Sequence, residues 1–204
     1  CAHPLSHRYM ETACAKRSLV VLAADIGIID DLVDMVNLVG PHIAGLKTHV
    51  DMTDDFTMED WGKVVDVAKK HDLMLFEDRK FADIGRVTET QMAGMYDIRS
   101  WADLVTSHSV SGPDIVDGIA SAWDSVQRVG GVLLLAQMSS RGNLLDGSYT
   151  DRTMEIGTSS PHVIGYIGNG SNPNEVSELR KKAGDGKMIL SLIHISEPTR
   201  RTVI

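Results

Sequence analysis

The chain has 204 residues, enough for one sizeable core, since a domain usually takes roughly 100–200 residues. Apolar residues make up 43% and charged residues 24%, which excludes global disorder. The 20 lysines and arginines face 28 acidic residues, a formal charge of −8, so a sequence-independent grip on nucleic-acid phosphates is not expected.

The first residues, Cys1 to Arg8, lack an apolar signal core and predict no export. Cys1 and Cys14 are too few for a disulfide framework or a structural zinc site, so a reducing, cytoplasmic setting is expected. His3 and His7 stand four apart, but residues 1–17 are expected to be a flexible N-terminal segment that binds no metal. A chain that opens on cysteine is expected to be a fragment. Leu19–Ala24 is the longest apolar run, far short of the ~20 residues of a membrane helix, so no membrane partner is expected.

Short aliphatic runs then recur: Leu19–Ala24, Ile43–Leu46, Leu73–Phe76, Asp103–Thr106, Val132–Ala136, Val163–Ile167 and Met188–Ile193. Helix-period stretches lie between them, through Leu32, Met35, Val36 and Val39 before the stop at Gly40-Pro41, through Trp61, Val64, Val65 and Ala68, and through Ile115, Ile119, Ala122 and Val126. Strand, helix and strand at intervals of about 25 to 30 residues form a βαβ unit, and its repetition demands a parallel sheet covered by helices. The first run ends Ala24-Asp25-Ile26-Gly27, without the glycine fingerprint of a dinucleotide-binding open sheet. The fold expected is therefore an α/β TIM (β/α)8 barrel over residues 18–190, incomplete at about seven strands. Asn169-Gly170-Ser171 is expected to be a turn and not a glycosylation site.

Such barrels carry their sites where strands end. Polar residues follow five of the runs: Asp25, then Lys47-Thr48-His49, then Glu77-Asp78-Arg79-Lys80, then Ser107-His108, and Ser139 near the fifth. A charge run after a strand is ordinarily a solvated loop. Here alternation places Asp78 and Lys80 on one side, within reach of Lys47 from the neighbouring strand. An alternating array of lysines and aspartates keeps its lysines charged and its acids ionised, and can stabilise carbanionic charge and donate a proton without a metal.

With Gly45-Leu46-Lys47-Thr48-His49-Val50-Asp51 and Phe76 through Gly85, the chain resembles the orotidine 5′-phosphate decarboxylase family, of eukaryotic type. The likeness extends through Trp101-Ala102-Asp103, Gly112-Pro113, Met138-Ser139 with Gly142, and Val163-Ile164-Gly165-Tyr166-Ile167, covering roughly residues 18 to 168. It implies decarboxylation of orotidine 5′-phosphate to UMP in de novo pyrimidine synthesis, with no cofactor and no metal. By position, Lys80 is then the proton donor, and Lys47, Asp78 and Asp83 complete the array. The resemblance also implies a homodimer in which Asp83 enters the partner's site. Asp25, Thr48 and His49 match positions near the ribose, and Ser139 matches the pyrimidine reader.

Two departures stand out. The family's Asn-Thr after Asp83-Ile84-Gly85 is Arg86-Val87 here, and valine cannot supply the hydroxyl. The family's terminal Thr-Pro-Gly turn, phosphate-gripping loop and Gly-Arg-Gly strand are missing. Leu190 through Arg200 resembles a translated sequencing adapter, so residues 191–204 are expected to be a non-native tail. Loss of the eighth strand and phosphate site leaves open a non-catalytic dimerising or nucleotide-binding barrel. A magnesium-dependent sugar-phosphate decarboxylase with the Asp-x-Lys-x-x-Asp pattern is the other alternative.

Overall fold

The computed structural model describes residues 3–169, 173–184 and 186–192. Seven strands run through it: β1 (Val21–Ala23), β2 (Gly45–Thr48), β3 (Met74–Phe81), β4 (Leu104–Ser107), β5 (Gly131–Leu135), β6 (Val163–Asn169) and β7 (Met188–Leu192). They pair in chain order, each parallel to the next. The helices are α1 (Pro4–Lys16), α2 (Ile29–Val39), α3 (Met58–Lys70), α4 (Gly85–Met92), α5 (Ile98–Trp101), α6 (Asp114–Asp124), α7 (Gly147–Ser159) and α8 (Pro173–Ala183). Each of the seven expected runs overlaps a strand, with β2, β3, β4 and β6 extending past the expected C-terminal bound. Ile193 and the rest of the expected tail lie outside the described residues, while Ser191 and Leu192 continue β7.

The continuous apolar runs arise because both sheet faces are covered. Leu46, Leu75, Val105, Val132 and Leu134 pack outward against Leu32 and Val36 of α2, Val64 and Ala68 of α3, and Ile115 and Ile119 of α6. Met74, Phe76, Leu104, Leu133, Leu135 and Ile164 form an inner core, against which Val21 of β1 and Met188 and Leu190 of β7 also pack. One cluster reached from both outermost strands requires the sheet to curl. Among the described residues no pairing joins β7 to β1, and a cavity of about 810 Å3 lies there, lined in part by Tyr9, Leu19, Val21, Met188 and Leu190. Among the described residues the barrel is incomplete, as expected.

The N-terminal segment departs from expectation: residues 4–16 form α1 instead of a flexible arm. Pro4 sits at its start, the Leu5 N–H is capped by His3 Nδ1 at 3.2 Å, and Arg17 closes it in the left-handed region at φ 52°. Leu5, Tyr9 and Ala13 share one face and plug the inner core. Arg8 pairs with Asp103 Oδ2 at 3.1 Å and donates to the Leu73 carbonyl at 3.2 Å. Lys16 Nζ donates to the carbonyls of Gly40, Ile43 and His71. These contacts precede β2, β3 and β4, so α1 closes the end of the sheet opposite the strand C-termini. Asp103 also accepts the Leu75 N–H at 3.0 Å and pairs with Arg128 at 3.2 Å.

Helices α4 and α6 approach almost backbone to backbone. A Cβ on Gly118 would lie 2.2 Å from the Gly85 carbonyl oxygen, and one on Gly85 would lie 2.3 Å from that of Asp114. Among the described residues no helix is long and apolar enough to cross a membrane.

Candidate active site

Lys47, Asp78 and Thr106 stand near the C-terminal ends of β2, β3 and β4, all three buried. Asp78 is the hub. Its Oδ2 lies 2.7 Å from Lys80 Nζ, 3.4 Å from Lys47 Nζ and 3.4 Å from His49 Nε2. Asp25, just past β1, places Oδ1 3.6 Å from Lys47 Nζ and 4.0 Å from His49 Nε2. Lys47 is fully buried, yet its ammonium makes no aligned hydrogen bond to a described residue. Its ammonium is thus held by the Asp25 and Asp78 charges without an aligned hydrogen bond.

Burial pushes the Asp78 carboxyl upward, but the Lys80 and Lys47 charges outweigh it, and hydrogen bonds from Lys80 and Thr106 add to them, so it sits below the ordinary carboxylate range. His49 is shifted the other way. Burial is the main cause, the Lys47 and Lys80 charges add to it, and the Asp78 and Asp25 charges oppose it only in part. The imidazole is therefore neutral near pH 7, and the cluster comprises two ammonium groups, two carboxylates and a neutral ring.

The structure thus brings Asp25, Lys47, His49, Asp78 and Lys80 together, and leaves three of the expected site residues apart from them. Asp83 is exposed; its Oδ1 accepts the Ile84 N–H at 2.8 Å, and it forms no ion pair among the described residues. Within the single chain Asp25 is the second carboxylate near Lys47. Thr48 points its hydroxyl to Glu77 Oε2 at 2.7 Å, deep in the protein. Ser139 is exposed in the loop between β5 and α7, where Asn143 Nδ2 donates to the Met138 and Ser140 carbonyls at 3.3 and 2.7 Å. Arg86 and Val87 are exposed at the start of α4, while Thr88 is buried with its hydroxyl on the Asp83 carbonyl at 3.2 Å.

Three further residues support the site: Glu77 and His108, which the sequence offers only as polar strand-end residues, and Thr106, which it does not single out. Glu77 is fully buried beside Thr48 and accepts the Val50 N–H on both oxygens at 3.2 Å. Burial pushes its carboxyl up to about 8; the Thr48 and Val50 hydrogen bonds oppose the rise, and the Asp51 and Asp78 charges add to it. Thr106 accepts the Lys80 N–H at 2.8 Å and donates to Asp78 Oδ1 at 2.8 Å. His108, just past β4, is half-buried with Nδ1 3.4 Å from Tyr149 Oη. Burial and then the Lys80 charge lower its pKa.

His49, Asp51 and Glu77 have ligand atoms within 4.8 Å of one another, close enough to hold a metal ion. Those donors are already engaged: Arg79 Nη1 lies 2.6 Å from Asp51 Oδ2, and Glu77 accepts from Thr48 and Val50.

A curled parallel sheet with lysines and aspartates clustered at the strand C-termini defines a protein of the β/α-barrel class. Residues 18–199 match the family model of the orotidine 5′-phosphate decarboxylase / HUMPS family, and the chain belongs to that family. Orotidine 5′-phosphate decarboxylase of Kodamaea ohmeri is 36% identical over 168 residues, which cover 80% of this chain and 64% of the relative. That of Pichia kudriavzevii is 39% identical over 170 residues, covering 80% and 64%. Both are yeast proteins, in keeping with the eukaryotic type, and the chain spans less than two thirds of their length. Orotidine 5′-monophosphate decarboxylase from Methanocaldococcus jannaschii, solved with the inhibitor BMP, superposes with a TM-score of 0.65 at 20% identity, covering 81% of this chain and 73% of that one. That likeness is one of fold.

Proposed function

We propose that the chain is built to decarboxylate orotidine 5′-phosphate to UMP in pyrimidine synthesis, without a metal or organic cofactor. The observation that carries the reading is the Lys47–Asp78–Lys80 array on neighbouring strands of a family barrel. Loss of carbon dioxide from a pyrimidine leaves an electron pair at carbon. Each tenfold in rate requires about 1.4 kcal/mol of stabilisation present in the transition state and absent in the bound substrate. Lys80, 31% exposed and 2.7 Å from Asp78, can approach that electron pair as a cation and then protonate it. Lys47 holds Asp78 ionised and in place, and preorganised charge of this kind is usually the largest catalytic term.

In this reading Asp25 and His49 face the ribose, with Thr48 bracing their strand from behind. Ser139 reads the pyrimidine once its loop folds over the ligand. Asp83 serves a second copy of the chain: it is exposed and has no ion pair among the described residues, beside Ile84 and Val87, which are 60% and 37% exposed. Two exposed aliphatic side chains flanking a carboxylate suit a homodimer contact. The reading places the protein in the cytoplasm with its nucleotide substrate.

Turnover of orotidine 5′-phosphate, followed by loss of substrate absorbance with and without EDTA, tests this directly. The expected result is chelator-insensitive conversion that Lys80→Ala reduces by at least about a thousandfold with an unchanged circular dichroism spectrum. Conversion that requires magnesium, or that survives in Lys80→Ala, overturns the assignment. Nucleotide binding without turnover would favour the non-catalytic barrel.

A further inference from the structure

Thr106 connects the two charged residues at the centre of the site through a single hydroxyl. The ladder between β3 and β4 shifts register between Glu77 and Phe81. Lys80 lies inside that irregularity with φ 52°, a left-handed conformation disfavoured for a residue with a Cβ. Its N–H donates to Thr106 Oγ1 at 2.8 Å, so a side chain of β4 stands in for a ladder carbonyl. The same oxygen carries one proton, directed at Asp78 Oδ1 2.8 Å away. Because Lys80 supplies the proton of the first bond, the hydroxyl must use its own in the second. Asp78 Oδ1 is therefore an acceptor, which an ionised carboxylate satisfies. Its other oxygen, Oδ2, faces Lys80 Nζ, Lys47 Nζ and His49 Nε2.

We propose that Thr106 is the positioning residue of this site, fixing the backbone of the proton-donating lysine to the carboxylate beneath its ammonium group. It touches no reacting atom. Without it the Lys80 N–H and Asp78 Oδ1 lose their partner inside the protein, the bulge is free to relax, and Asp78 turns relative to both lysines. The activity consequence rests on the decarboxylase reading, whereas the structural consequence does not.

The test compares Thr106→Val, which keeps the shape and removes the hydroxyl, with Thr106→Ser, which restores it. Two readouts are independent of turnover: hydrogen exchange of the Lys80 amide in the wild type, and the Asp78 titration followed by carboxyl carbon-13 NMR. The Lys80 amide is expected to be protected like its neighbours in β3. The Asp78 midpoint is expected to rise in Thr106→Val and to return in Thr106→Ser. A hydrogen bond to a charged group controls its equilibrium by about tenfold or more, so kcat for orotidine 5′-phosphate should fall by at least that factor in Thr106→Val, with KM within about threefold. Thr106→Ser should recover most of it.

An unprotected Lys80 amide in the wild type overturns the proposal even if Thr106→Val fails to fold. So does a folded Thr106→Val with unchanged Asp78 titration, or a folded Thr106→Ser that behaves like the valine variant. If the wild type does not convert orotidine 5′-phosphate, the functional reading fails, while the exchange and titration results still decide the role of Thr106.

Discussion

Glu77 offers the sharpest link between this structure and a bulk measurement. Its carboxyl rises from 4.5 to about 8, chiefly through burial, and it is fully buried, so no solvent discount applies. The direction of the effect follows from proton counts. Below the unfolded value, native and unfolded chains both hold the proton and Glu77 carries no penalty. Between 4.5 and about 8 the unfolded chain releases the proton while the native one keeps it, so stability falls as pH rises, and the loss is complete above the folded value. At about 1.4 kcal/mol per pH unit the interval gives roughly 5 kcal/mol, a large share of the ~5–15 kcal/mol by which a domain is stable. Glu77→Gln removes the proton equilibrium and keeps an amide that can meet Thr48 and Val50. Urea titrations followed by tryptophan fluorescence at pH 5 and pH 8.5 should show the wild type losing several kcal/mol more than the variant across that range. Parallel losses in the two proteins would mean that Glu77 titrates normally and that its burial has been misjudged.

Two further outcomes test the packing and the wall of the site. Gly118→Ala puts a methyl group into the Gly85 carbonyl and should destabilise by about 1–3 kcal/mol in urea unfolding. Gly62→Ala in α3, where a Cβ meets nothing within 4 Å, should stabilise by roughly 0.5–1 kcal/mol through helix propensity; equal effects at both positions would contradict the close contact of α4 with α6. Tyr149 Oη accepts the Ser109 N–H at 3.0 Å, which leaves its proton for His108 Nδ1 at 3.4 Å and puts the ring proton on Nε2. Nitrogen-15 NMR at pH 7 should therefore show a neutral Nε2–H tautomer for His108 that becomes mixed in Tyr149→Phe, and a dominant Nδ1–H form in the wild type would refute the assignment.

The strands were legible because parallel strands buried on both faces read as unbroken apolar runs, and the helices between them because α2, α3 and α6 each bury one face. Lys47, Asp78 and Lys80 were legible because they stand directly after such runs. What escaped depends on geometry that strand alternation does not specify. Thr106 in Val105-Thr106-Ser107 reads as ordinary strand filling, and only the shifted register beside Lys80 turns its hydroxyl into a bridge. Glu77 belongs to the same charge run as Asp78, but alternation sends it to the opposite face, to meet Thr48 and Val50. Helix α1 buries apolar side chains only at Leu5, Tyr9 and Ala13. So narrow a stripe becomes convincing only once the inner core it plugs is known. Asp83 lies outside the cluster within one chain, and strand alternation gives it no place; only the family resemblance assigns it to a contact with a second copy.

The ionic centre is not explained by stability. Burying an ammonium or a carboxylate costs several kcal/mol after relaxation, and a buried ion pair is commonly no better than a well-packed apolar pair of the same volume. Lys47 and Asp78 are both fully buried, 3.4 Å apart, without an aligned hydrogen bond between them. A pair selected for rigidity alone would be closer and better aligned, as Asp103 is with Arg8, Arg128 and the Leu75 N–H at the far end of the sheet. The difference between the two ends is chemical. The Asp103 network is hydrogen-bonded on both oxygens and ties α1 to the sheet, whereas in the cluster around Asp78 the buried Lys47 ammonium has no aligned hydrogen bond to a described residue. An ion pair buried without that alignment weakens the fold more than it steadies it, as expected of groups retained for the chemistry proposed above and not for stability.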